Sequence, residues 1–352
     1  MKKLLLLVVL ANLLNTSQSQ VVKQNQLPSL SEKYKSYFPI GAAVSPRVLK
    51  SADSILVINQ FNSLVCENQM KPSLIHPKEN TWSFENADLI AAFAKRHGMK
   101  LRGHTLVWHR QTPDWFFKDG DQAVSKEVLK ERLRKHIQTV FSRYKDVVYC
   151  WDVVNEAISD DKNEYLRTSS DWYKILGEEY IELAFRYAHE ANPKAKLFYN
   201  DYNTWLPEKR DKIIMLVKSL KEKGVQVDGI GMQGHWQIGS PTKEQIETSI
   251  DKFAALGVQV QITEFDVSVY KSDNDKQMEF TPEVEQKQAD YYQMCFEVFR
   301  EKKDKISGVT FWGAADNHTW LDNFPVRGRK NYPLLFDTKL QPKKAFGQVM
   351  NF

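Results

Sequence analysis

The stretch VVYCWDVVNEAI, residues 147–158, carries an apolar run of strand type that ends on an amide and an acid, Asn155 and Glu156. An Asn-Glu pair by itself is more often a strand end meeting solvent than a site. Its weight depends on whether the rest of the chain repeats the pattern. It does: similar runs occur at 39–44, 61–68, 100–108, 195–201, 229–236, 260–267 and 308–316, giving eight with 147–156. Between them lie segments of helical period. Leu129, Leu133, Ile137, Val140, Phe141 and Tyr144 recur at the three-and-four spacing of one helix face. Comparable stripes run through 84–97, 174–189, 208–222, 243–255 and 284–301. Thr242 with Gln245 fits a capping box, and Pro207 and Pro282 suit first helical turns.

Strands alternating with helices imply parallel pairing through right-handed crossovers. Eight such units in one chain favour a closed (β/α)8 TIM barrel over an open doubly wound sheet, and no glycine-rich phosphate loop follows the first strand. A nucleotide-dependent dehydrogenase or kinase therefore has no support. No repeat, low-complexity tract or linker divides the chain, so the reading is an α/β fold of one domain.

The N-terminus, MKKLLLLVVLANLL followed by NTSQSQ, has the layout of a secretory signal peptide: two lysines, an apolar block, then small and polar residues. The block is shorter than the ~20 residues that a spanning helix needs. Residues 1–19 are thus assigned as a signal and 20–352 as the catalytic domain, in a protein expected to be secreted or periplasmic. The formal charge is +5, including Lys2 and Lys3, with acids and bases interspersed. Such mild positivity points to neither nucleic acid nor a membrane surface. Cys66, Cys150 and Cys295 are spaced as neither a disulfide framework nor a metal set, which leaves a single disulfide open.

In a barrel of this kind, chemistry collects at the carboxyl ends of the strands. Those ends supply Glu67, Asn68 and Lys71; His104, Trp108 and His109; Asn155 and Glu156; Asn200, Asp201 and Tyr202; Gln233, His235 and Trp236; Glu264 and Asp266; and Trp312, Asp316 and, in the loop beyond, Trp320. The opposite ends show no such set. Polar groups drawn into apolar strands cost free energy unless paired or used, and so many at one rim imply a shared site.

Glu156 and Glu264, on the fourth and seventh strands, face each other across a narrow mouth. Two facing carboxylates are the apparatus for glycosidic bond hydrolysis, roughly 5–5.5 Å apart in retaining enzymes and ~6.5–9.5 Å apart in inverting ones. Residues two apart on a strand share a face, so Glu264 and Asp266 point together. His235 between them would keep Glu264 ionised, as a nucleophile requires. Glu156, beside neutral Asn155 and near Trp108, is the better proton donor, its acidity weakened by desolvation. Asn155 is placed to hold a sugar 2-hydroxyl. Presenting both 155 and 156 at one mouth demands a twist or bulge, since adjacent residues face opposite ways. His104 and His109 are five apart on a strand and form no chelating pair, so the sequence calls for no metal and no cofactor.

In order and spacing, FNSLVCENQMK, GHTLVWH, WDVVNEA, NDYN, GMQGHW, ITEFDV and TFWGAADNHTWL resemble the glycoside hydrolase family 10 endo-β-1,4-xylanases, from about Phe38 to Phe346. The resemblance implies a retaining mechanism on a xylan main chain, with Glu156 as acid/base and Glu264 as nucleophile. It further implies glycone subsites lined by Glu67, Asn68, Lys71, His104, Trp108, Asn155, Tyr202, Gln233, His235, Trp312 and Trp320; Asp266, by the strand geometry above, supports from behind His235. It implies xylan or xylo-oligosaccharide as partner, and the chain is expected to work as a monomer. Gln69 stands where the family often has an acid, and Phe265 where an aliphatic residue is common. Two alternatives stay open: a β-1,4-glucan or mixed-specificity glycanase of the same family, and a barrel that binds polysaccharide without turning it over.

Overall fold

The computed structural model describes residues 27–352, and the expected signal segment, 1–19, lies outside them. Among the described residues eight parallel strands close a barrel: β1 Ile40–Val44, β2 Ser63–Cys66, β3 Lys100–Trp108, β4 Val148–Asn155, β5 Lys196–Asp201, β6 Gly229–Met232, β7 Gln259–Ser268 and β8 Ile306–Phe311. Each pairs with the next, and β8 pairs with both β7 and β1. The principal helices are α1 Asp53–Gln60, α2 Glu85–Arg96, α3 Lys126–Tyr144, α4 Glu179–Ala191, α5 Pro207–Glu222, α6 Lys243–Ala254, α7 Pro282–Glu301 and α8 Lys344–Met350, one after each strand.

The strands are buried almost end to end because the helix ring covers their outer face while the barrel interior covers the inner one. The stripe read along α3 is its buried face. Thr242 and Gln245 form the expected capping box at α6, and Pro207 and Pro282 open α5 and α7. Phe265 points outward from β7 into an aromatic layer of Trp236, Tyr292, Phe296, Phe299 and Phe311, so the ring is accommodated by the helix layer and does not enter the barrel. The three cysteines are buried and free.

Two elements differ from expectation. The helix anticipated over 174–189 is two pieces, Asp171–Leu176 and α4, separated by Gly177 at φ +66°, where the left-handed backbone ends the first piece. The run 229–236 breaks after Met232: Gly234 takes φ +83° and His235–Gln237 resumes as a short strand against Asp266–Ser268 of β7.

Polar residues are also not confined to the carboxyl rim. Inside the barrel, Arg102 of β3 makes a bidentate pair with Asp152 of β4 at 2.8 and 2.7 Å and donates to Gln261 of β7 at 2.7 Å. Both members of the pair are fully buried. Two large groups can meet at the axis only where neighbours yield space. Gly231 does so for Asn200: a Cβ at 231 would lie 2.1 Å from the Asn200 amide oxygen and 2.9 Å from Thr263 Cγ2.

Candidate active site

Alternation along β7 sends Glu264 and Asp266 into the mouth of the barrel. Glu264 is 5% exposed. Its Oε1 accepts from Asn200 Nδ2 at 2.8 Å, and its Oε2 lies 3.2 Å from His235 Nε2. His235 Nδ1 is in turn 3.0 Å from Asp266 Oδ2, the same oxygen that accepts from Trp320 Nε1 at 2.8 Å. Burial alone would deprotonate His235, but Asp266 and Glu264 outweigh it and hold the imidazolium up to about 10. Burial likewise works against a charged Glu264, yet His104, His235 and Lys71 together bring it below the usual glutamate range. This carboxylate is ionised at neutral pH.

Glu156 stands one residue past the end of β4 with φ +58°, a left-handed conformation unusual for glutamate. The anticipated irregularity takes two forms: β4 slips against β5 between Asp152 and Val154, and Glu156 itself turns over. Its backbone N–H donates to Asn200 O at 2.9 Å. Its Oε1 accepts from Gln233 Nε2 at 2.9 Å and its Oε2 from Trp108 Nε1 at 2.8 Å, both neutral donors. His109 Nδ1 is 4.0 Å from Oε2. Burial and the nearby Arg167 and Arg110 push His109 down to about 3, so it is a neutral neighbour.

Amides tie the two carboxylates into one unit. Asn155 Oδ1 accepts from Asn200 Nδ2 at 2.9 Å and from Gln233 Nε2 at 3.3 Å, so Asn200 bridges to Glu264 and Gln233 bridges to Glu156. With its oxygen occupied, Asn155 keeps its own NH2 for a ligand. On the other wall Lys71, 6% exposed, donates to Asn68 Oδ1 at 2.9 Å and lies over the rings of Trp108 and Trp312 at 5.0 and 5.7 Å. Burial raises Glu67, with Lys71 opposing it. Trp320 packs against His235 at 4.8 Å and stacks on Phe324 at 5.3 Å.

A cleft of about 600 Å³ is lined by both carboxylates and by every residue expected in a sugar subsite, from Glu67 to Trp320. Asp266 lies beneath, behind His235. Three members of the rim set go elsewhere. Trp236 packs on the outer aromatic layer. Asp316 pairs with Lys343 at 3.0 Å and accepts from Leu334 N at 2.8 Å. Asp201 turns beneath the loop after β4. Arg110, Gln111, Asn203 and Phe324 also line the cleft. They sit in loops, outside the strand runs that made the other residues legible. Asn200 belongs to the site as the bridge between carboxylates, a role that only its contacts reveal.

Two buried glutamates facing a cleft at the carboxyl end of a (β/α)8 barrel define a glycoside hydrolase site. The description "Glycosyl hydrolase family 10" matches residues 29–352, and the chain belongs to that family. It is 50% identical over 351 residues to a β-1,4-xylanase of Dictyoglomus thermophilum, covering 99% of this chain and 98% of that one. It is 49% identical to an endo-1,4-β-xylanase of Geobacillus stearothermophilus, covering 93% and 99%. Among solved structures, a Paenibacillus barcinonensis xylanase complexed with a conduramine derivative superposes with a TM-score of 0.90 at 49% identity, over 92% of this chain and 98% of that one. A variant relative in complex with xylotriose gives 0.89 at 48% identity, over 92% and 99%.

Proposed function

We propose that this chain is an endo-1,4-β-xylanase that cleaves internal xylosidic bonds with retention of configuration, Glu264 acting as nucleophile and Glu156 as acid/base. The observation that carries the roles is the asymmetry of the two carboxylates: Glu264 is surrounded by His235, His104 and Lys71, whereas both Glu156 oxygens meet neutral N–H donors. The substrate follows from the xylanase relatives and the xylotriose complex of one of them.

In the first step Glu264 attacks the anomeric carbon, the glycosidic C–O bond breaks, and Glu156 gives its proton to the departing oxygen. A glycosyl-enzyme ester remains. In the second step Glu156, now a carboxylate, takes a proton from water, the hydroxide adds to the anomeric carbon, and Glu264 leaves as a carboxylate. The free NH2 of Asn155 donates to the 2-hydroxyl, a contact that strengthens as positive charge develops on the ring. Trp108, Trp312 and Trp320 offer flat faces to the pyranose rings. The apolar N-terminal block from Leu4 to Leu14 supports export as the setting.

Proton NMR of products formed in the first minutes on xylo-oligosaccharides tests the mechanism: the β-anomer is expected first, and early α-anomer overturns it. Rates on aryl xylobioside and aryl cellobioside test the polymer. Preference for the cellobioside makes the enzyme a glucanase, and binding of xylan without release of reducing ends makes it a binding protein.

A further inference from the structure

We propose that Tyr199, a residue the substrate does not reach, is a positioning residue for the acid/base, acting with Asp201 and Lys209 as a socket for the main chain that directly follows Glu156. The inference rests on the assignment of Glu156 made above. Tyr199 is fully buried on β5. Its hydroxyl accepts from the backbone N–H of Ala157 at 3.0 Å and of Ile158 at 3.1 Å, and donates to Asp201 Oδ2 at 2.5 Å. One donor and two acceptor sites are thereby all used. Lys209, 4% exposed, is filled in the same way: it donates to Ile158 O at 3.0 Å and Asp160 Oδ1 at 2.9 Å, and lies 3.1 Å from Asp201 Oδ1.

Six consecutive backbone groups following β4 are held, three of them by Tyr199 and Lys209. Glu156 N–H goes to Asn200 O, Glu156 C=O accepts from Arg167 Nε at 3.3 Å, and Ala157 C=O accepts from Arg167 N–H at 2.8 Å. The N–H groups of Ala157 and Ile158 go to Tyr199, and the C=O of Ile158 to Lys209. A glutamate at φ +58° persists only where its surroundings over-determine it. Here the surroundings are polar, buried and specific to this turn. The left-handed residue is what brings the Glu156 carboxyl round to Trp108 and Gln233, so the phenol that fixes the turn also fixes the point from which the proton is delivered.

The variant Tyr199→Phe keeps the ring and removes the oxygen. Initial rates are measured on aryl xylobiosides with leaving groups from dinitrophenol to unactivated phenol, beside wild type and Glu156→Ala. A displaced proton donor penalises only leaving groups that need protonation. The expected result is roughly a 10²-fold loss of kcat/KM for the poorest leaving group, the scale of an ångström-sized misplacement, with the dinitrophenyl substrate near wild type. An equal loss for every leaving group, or no loss, overturns the proposal. Asp201→Asn, which leaves the phenol in place but loosens its anchor and Lys209, must show the same leaving-group dependence and decides the matter if Tyr199→Phe does not fold. Silence of the wild type on all xylosides would sink the proposed function. A leaving-group-dependent loss in Glu156→Ala that is missing from both socket variants would sink only the socket.

Discussion

His235 stands with Nε2 3.2 Å from Oε2 of Glu264, and the imidazole is held as a cation by the Asp266 carboxylate on its other side. The pair places a fixed positive charge against the nucleophile. Its stabilising contribution has a definite sign with pH. A histidine raised in the folded state gives stability that is full below its ordinary value of ~6.5 and is lost as pH rises through about 10. Glu264, lowered in the folded state, contributes above the ordinary glutamate value and loses that contribution as pH falls through its depressed one. Nitrogen-15 NMR of the His235 ring should therefore show the imidazolium at neutral pH and titration near pH 10. A midpoint in the ordinary histidine range would refute the arrangement.

Glu156→Ala should lower kcat/KM on xylan by about 10²–10⁴-fold, the usual contribution of a positioned general acid. The dinitrophenyl xylobioside should still glycosylate Glu264, and azide should restore turnover by replacing water, which needs a base. Glu264→Gln should be inactive on every substrate and unrescued. If azide rescues Glu264→Gln with product of retained configuration while Glu156→Ala stays dead, the two roles are exchanged.

The buried pair of Arg102 and Asp152 makes a stability prediction independent of sugar. Arg102→Met leaves Asp152 without its charge partner and should cost about 3–5 kcal/mol in urea unfolding. Asp152 Oδ2 also lies 2.9 Å from His104 Nδ1, and His104 sits 3.9 Å from Glu264 Oε1. Turnover by the folded fraction should fall as well. A variant with unchanged midpoint would show the pair to be dispensable.

Thr242→Ala removes the side chain that accepts from Gln245 N–H at the start of α6, and a helix cap of this kind is worth about 0.5–2 kcal/mol. The unfolding free energy measured in urea should fall by that amount with kcat and KM at wild-type values, because α6 packs on the outer face of the barrel. A change in KM would mean that the helix reaches the cleft by a route not visible in its contacts.

The barrel and its two carboxylates were legible because each depends on local pattern: the alternation of strand runs with helical stripes, and functional residues at successive strand ends. What escaped depends on pairing across the chain. Arg102 and Asp152 each interrupt an apolar run, yet only the side-chain contact between β3 and β4 shows that they neutralise one another. Asn200 could be read as a strand-end amide but not as the link between Asn155 and Glu264. Asp316 and Trp236 had the right position in sequence but the wrong direction in space, one drawn to Lys343 and the other to the aromatic layer outside β7. The break at Gly177 was missed because a helical stripe continues in phase across it.

Gly231 meets no sugar and takes no part in proton transfer, yet an added methyl there would strike the Asn200 amide that steadies Glu264. Inheritance at this codon is thus constrained by a hydrogen atom's worth of room. A mutagenesis library scored for turnover would brand position 231 intolerant, and a reader of that map alone would search for chemistry where there is only crowding.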